Sequence, residues 1–210
     1  MATINDKVAS STKWTFITEV MAKLVNPISN MILARLLAPE AFGVLATVLM
    51  ILSFADMLAD AGFQKYIIQK EFKDDLEREQ STLVAIWSNI ALGFVLWIGV
   101  FVFQDKLASL VGNPGLGNVL AIAGIAIPLT SISSVQLALL RRDFNFKALF
   151  VFRLCVIIVP LLITVPLAYL GYGYWSLIIG HIAAQALLAI TVTKYSEFHL
   201  RLYYNVNQLL

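Results

Sequence analysis

Few residues of this chain could do chemistry, and most of them sit where a charge is costly. Glu19 and Lys23 lie four residues apart inside a long apolar stretch, which puts them on one side of a helix with the acid N-terminal to the base. Asp56 and Asp60 repeat that spacing in the second apolar stretch, and Arg153 stands in the fifth. A charge in hydrocarbon is expensive unless it meets a partner or water, so such residues mark a transport path or a structural pair. Lys23 is the deepest cation. Either it locks the first helix to a neighbour through an ion pair, or it lines a water-filled cavity and attracts an anion. Asp56 and Asp60, at about the depth of Glu19, are with it the ion-coupling candidates for a proton or sodium gradient. The plainer reading sets Asp60 at the interface and pairs Asp56 with a base such as Lys23 or Arg153. Arg153, one turn into the membrane, either snorkels to the surface or faces the cavity with Lys23 as a substrate-binding cation. His181 reads as a packing residue held by a hydrogen bond.

Enzyme templates fail. The chain has no P-loop lysine motif, no His-Glu-x-x-His and no nucleophile elbow. Two histidines and a single cysteine, Cys155, exclude a disulfide framework or a cysteine–histidine metal cluster. The glycine-rich run Gly112–Gly117 follows no strand and reads as a turn. No catalytic residue, no metal and no cofactor are expected, and a net charge of +2 does not point to nucleic acid.

The elements that must hold these residues are transmembrane helices. Of the 210 residues, 60% are hydrophobic and 13% charged, against about 45–50% and about 25% in soluble domains. Six spans of about 20 residues would use about 120 residues and leave only short loops. The apolar segments run Trp14–Leu37, Ala41–Phe63, Ser81–Phe103, Val119–Leu140, Leu149–Leu170 and Tyr174–Thr193. Lipid offers no partner to open backbone, and the segments do not alternate, so the expectation is an all-α polytopic bundle of six helices over residues 1–194.

Lysine and arginine set the orientation. With the N-terminus inside, Lys7, Lys13, Lys65, Lys70, Lys73, Arg78, Arg141, Arg142, Lys147, Lys194 and Arg201 all face the cytoplasm, and only Arg35 and Lys106 face outward. Both termini are then cytoplasmic. The polar start, Met1–Lys13, has no signal-peptide pattern, so the first span is expected to direct insertion. The loop Gln64–Gln80 carries mixed charges and reads as a solvated helix extension. Pro27 and Pro128 remove mid-span hydrogen bonds and are candidate helix kinks. The stretch 195–210 keeps an apolar stripe but is too polar to span, and reads as an amphipathic tail leading toward a missing second lobe.

Several stretches resemble one family. Leu33–Gly43 (LARLLAPEAFG) resembles the L-x-R-L-L-x-P-x-x-F-G junction between the first two helices of bacterial polysaccharide exporters. Asp60–Phe63 is similar to that family's D-x-G-F end of the second helix. Ser133–Gln136 followed by Leu140–Phe146 (LRRDFNF), and Gly171–Leu177 (GYGYWSL), resemble its fourth-to-fifth and fifth-to-sixth junctions. The family is the Wzx-like polysaccharide transporter branch of the multidrug/oligosaccharidyl-lipid/polysaccharide exporter superfamily. The resemblance implies a bacterial inner-membrane protein that flips undecaprenyl-diphosphate-linked oligosaccharide by alternating access through a cationic cavity. Its members have two helical lobes and about twice this length, so the chain resembles the N-terminal lobe, partnered by a second lobe or by its own copy. Two other readings are an ion-coupled drug antiporter of the same superfamily, and a non-transporting scaffold in a polysaccharide assembly complex.

Overall fold

The computed structural model describes residues 4–195, with side chains described from Thr12 onward. Among them run nine helices and no strand: α1 (Ile4–Leu36), α2 (Pro39–Asp60), α3 (Phe63–Gln69), α4 (Asp75–Val102), α5 (Gln104–Leu110), α6 (Gly117–Ala123), α7 (Ala126–Arg142), α8 (Phe146–Tyr169) and α9 (Tyr174–Tyr195). Five units are long and apolar enough to cross a bilayer: α2, α4, α6 with α7, α8 and α9. The chain is thus a polytopic helical bundle. α1, at 33 residues, is longer than any of them, but Lys13, Glu19, Lys23 and Arg35 dilute its apolar character. It is the sixth long helix by position, not by composition. The amphipathic tail falls outside the described residues, apart from Tyr195.

Local sequence explains the boundaries. Pro39 sits at the start of α2, where its missing N–H costs nothing. Gly171 and Gly173, both with positive φ, make the α8–α9 turn. The expected solvated extension at Gln64–Gln80 is instead a short helix, a break and a new start. The Glu77 N–H donates to Asp74 Oδ1 (2.6 Å), and the Lys73 N–H donates to Glu77 Oε2 (2.8 Å). This reciprocal cap begins α4.

The fourth expected span is broken. α6 ends and α7 begins across Gly124–Ile125, four residues before Pro128, which has no N–H to return to the Gly124 carbonyl. The Ile125 N–H turns instead to the Ile122 carbonyl (3.2 Å), which frees the Ala121 carbonyl. The Trp97 indole N–H on α4 donates to that carbonyl at 3.3 Å. Pro27, by contrast, sits within a continuous α1.

α7 is the central helix. It packs against α2, α3, α4, α8 and α9, while α8 stands between α9 and α1. Helices in lipid gain little from burying leucine, because acyl chains are equally apolar, so close approach of small residues has to hold them. Gly93 on α4 lies against Ser131 on α7, and Gly180 on α9 lies against Thr164 on α8. Asn89 adds polar glue, its amide donating to Ser134 Oγ (2.6 Å) and to the Ser131 carbonyl (3.3 Å). Large exposed side chains such as Phe16, Met50, Phe54 and Leu162 face outward, where acyl chains would cover them.

One end of the bundle is tied by cations. Arg142 Nη1 donates to the carbonyls of Ile67 (2.7 Å) and Lys70 (2.6 Å), the open C-terminal carbonyls of α3. Arg78 pairs with Asp143 at 2.6 Å, and the Arg142 guanidinium lies 4.6 Å from the centre of the Phe72 ring. Lys70 donates to the Tyr66 hydroxyl (2.7 Å) and pairs with Glu77 (3.2 Å). The Tyr66 bond first, then Glu77, holds the Lys70 ammonium above the ordinary lysine pKa.

Candidate functional site

α1 presents a polar face. Thr15, Thr18, Glu19, Ala22, Asn26, Ser29, Asn30 and Leu33 recur at three- and four-residue steps, so a 3.6-residue helix gathers them on one side. That side borders a space within the bundle. It forms one wall of a cavity of about 860 Å³, within the size range of ligand sites. α8 supplies the opposite wall with Phe152, Arg153, Pro160 and Thr164, and α9 adds Leu177, His181 and Leu188. Leu45 and Leu49 of α2, and Leu137 and Arg141 of α7, close the rest.

The cavity exists because α1 is anchored unevenly. Leu33 and Leu37 are buried with Ala41, Ala168 and Leu177, where α1, α2, α8 and α9 meet. Among the described residues α8 is the one substantial neighbour of α1, and toward the N-terminus the Trp14 and Phe150 rings lie 5.1 Å apart. The result is a wedge, closed at the α1–α2 turn and lined at the opposite end by Thr15, Arg141 and Phe146.

Charge is confined to one half of this wedge. Arg153 Nη2 lies 3.5 Å from Glu19 Oε1, with both side chains about half exposed. At 1.5 Å per residue these two stand about 24 and 26 Å from the far ends of their helices, Tyr169 and Leu36. Asn26 and Asn30 stand about 15 and 9 Å from Leu36, in a half whose lining holds no ionisable side chain except His181. Arg141 sits at the charged mouth, with its Nη1 donating to Gln64 Oε1 at 3.3 Å.

The structure brings some of the sequence candidates together and not others. Arg153 and Glu19 share the cavity and pair with each other. Lys23 is exposed and does not line the cavity; one residue beyond Ala22 turns the helix by about 100°. Glu19 takes its base from α8 rather than from Lys23. The expected pairing of Asp56 with Lys23 or Arg153 is corrected: Asp56 Oδ1 is buried with no hydrogen-bond partner among the described residues. The cause is topology, because Asp56 lies on α2, whose neighbours are α4, α6, α7 and α9, whereas Arg153 lies on α8. Asp60 accepts the Gln64 N–H at 3.2 Å and so supports the start of α3. His181 reaches the cavity and makes no hydrogen bond with another described residue, against the expectation of a bonded packing histidine. Asn30, Ser29, Thr15 and Arg141 went unrecognised as a site, although the polar period along α1 is visible in the sequence.

Residues 32–210 match the family described as polysaccharide biosynthesis protein. The chain belongs to that family. Its likeness to individual members is clear. It is 32% identical over 177 residues to the succinoglycan biosynthesis transport protein ExoT of Rhizobium meliloti (strain 1021), covering 84% of this chain and 35% of that one. Against the lipopolysaccharide biosynthesis protein WzxC of Escherichia coli (strain K12), identity is 26%, over 87% of this chain and 36% of the relative. The teichuronic acid biosynthesis protein TuaB of Bacillus subtilis (strain 168) is 25% identical, over 71% of this chain and 30% of the relative. The chain therefore spans about a third of the length of the curated relatives it matches. No solved structure gives a significant match. Family and apolar helices together identify a Wzx-like, multi-pass protein of the bacterial inner membrane.

Proposed function

We propose that this chain forms one lobe of an exporter that flips undecaprenyl-diphosphate-linked oligosaccharide across the inner membrane, and that it is not an enzyme. The observation that carries this is the wedge-shaped cavity between α1, α8 and α9, with Arg153 and Arg141 in its charged half. A transmembrane cavity with cations at one end accepts a lipid diphosphate there and keeps its sugars in water, while the lipid tail stays in the bilayer. The names of ExoT and WzxC, as transport and lipopolysaccharide biosynthesis proteins, support the same reading.

In this reading residues 1–194 form the lobe with both termini cytoplasmic, and Arg153 rather than Lys23 is the substrate cation, because it lines the cavity. A second helical lobe, or a second copy of this chain, closes the open side, and rocking between the two alternates access. Asp56 is the coupling group for a proton or sodium ion, because Glu19 is held by Arg153 and Asp60 by the Gln64 N–H.

The test is made in a strain lacking the gene, by measuring lipid-linked oligosaccharide in the inner leaflet beside surface polysaccharide. Accumulation inside with loss outside, reversed by the gene, supports flipping. Unchanged lipid-linked oligosaccharide together with drug sensitivity would turn the reading to an ion-coupled drug antiporter. Loss of surface polysaccharide without accumulation would turn it to a scaffold.

A further inference from the structure

We propose that Asn26 and Asn30 select the glycan by hydrogen-bonding sugar hydroxyls in the uncharged half of the cavity, while the charged half holds the phosphates. This rests on the export reading above and adds to it an address for each end of the substrate. Both carboxamides line the cavity, one helical turn and about 6 Å apart along α1. Neither makes a hydrogen bond with another described residue. Neighbouring hydroxyls on the same face are already committed: Thr18 Oγ1 donates to the Trp14 carbonyl and Ser29 Oγ to the Val25 carbonyl, each at 2.8 Å. Among the described residues the amides are thus the free polar groups of that face in the uncharged half of the cavity.

Their chemistry suits a neutral polyol. Each carboxamide offers two N–H donors and an acceptor oxygen, which matches hydroxyls that both give and take a hydrogen bond. A cation there would select charge instead. Measured along α1, Glu19 stands about 10 Å from Asn26 and about 16 Å from Asn30 toward the mouth, and Arg153 of α8 pairs with it there. A polar site that bonds hydroxyls discriminates strongly against a ligand lacking them, because its amides are then left without partners. The polarity of the wedge also fits the order of entry. A lipid diphosphate stays at the leaflet where its tail lies, at the Arg141 end, and the glycan reaches inward to the amides.

The experiment places the 210-residue chain in lipid nanodiscs and measures binding by native mass spectrometry with two probes. One is undecaprenyl diphosphate without sugar; the other is the undecaprenyl-diphosphate-linked oligosaccharide extracted from the bacterium that carries the gene. The wild-type chain is expected to bind the glycan-bearing lipid about tenfold more tightly than the bare one, a difference of about 1.4 kcal/mol. Asn26→Ala with Asn30→Ala should erase that preference while leaving bare-lipid binding unchanged, which also shows that the variant is folded. Asn26→Gln with Asn30→Gln should recover part of it. A double alanine variant that keeps the preference overturns the proposal. Equal wild-type binding of both probes overturns it too, yet leaves the cavity as a lipid-diphosphate site. Binding of neither probe removes the export reading and this proposal with it.

Discussion

Arg153 carries most of the chemistry proposed for this protein, and its energetics separate function from stability. Its pair with Glu19 is 3.5 Å long and half exposed, a setting in which an ion pair contributes at most about 1 kcal/mol. Arg153→Ala should therefore leave thermal unfolding in detergent nearly unchanged while lowering export of lipid-linked glycan at least about tenfold, the cost of about 1.4 kcal/mol of lost anion binding. A variant that exports normally would reduce the pair to packing. Asp56 belongs to a different test. Asp56→Asn keeps the shape but removes the charge of a carboxylate with a buried, unpartnered oxygen. Glycan flux into proteoliposomes should then no longer respond to an imposed proton or sodium gradient. The candidate residues themselves were legible in the sequence, since charges in apolar runs stand out. Their partners were not. Glu19 had a base four residues away, yet it meets one from a helix more than a hundred residues later.

Among the elements, α3 is the one that sequence patterning hid. Seven residues cannot hold a helix alone, and by sequence the stretch reads as part of a charged extension. What makes it a helix is tertiary. Ile67 is fully buried among Ile86, Ile90, Val135 and Leu139, and Arg142 takes the open carbonyls at its end. Arg142→Ala removes a charged donor from two short hydrogen bonds, at about 1.5–3 kcal/mol each. Hydrogen exchange should accelerate at residues 63–70 well before the spans loosen. Exchange unchanged there would mean that burial of Ile67 suffices. The Lys70 contacts add stability that is complete below the unfolded lysine pKa of about 10.5 and is lost only as pH rises through the higher folded value. They should therefore stay constant across the neutral range. The α6–α7 break was half legible: Pro128 announced a kink, but only the fold shows Trp97 satisfying the Ala121 carbonyl that the turned Ile125 N–H leaves free.

At the scale of the molecule, the sidedness of the bundle is a prediction from lysine and arginine alone. In a chain with Cys155 replaced by serine, Lys147→Cys should react with an impermeant thiol reagent only from the cytoplasmic face and Lys106→Cys only from the outer face. Reaction of each from the opposite face would invert the topology, and reaction of both from one side would undo it. Composition alone places the protein in lipid, because burying so many apolar side chains needs no knowledge of which helix meets which. Five long apolar segments and the turns at Gly112–Gly117 and Gly171–Gly173 follow from composition and local backbone preference, while the sixth long helix, α1, is more polar than the rest. The cavity was decided elsewhere. Its walls come from five helices, and its shape depends on α1 being pinned at one end by Leu33 and Leu37 and spaced from α2 at the other. A period along one helix shows which side chains share a face. Only packing says whether that face meets lipid, protein or water.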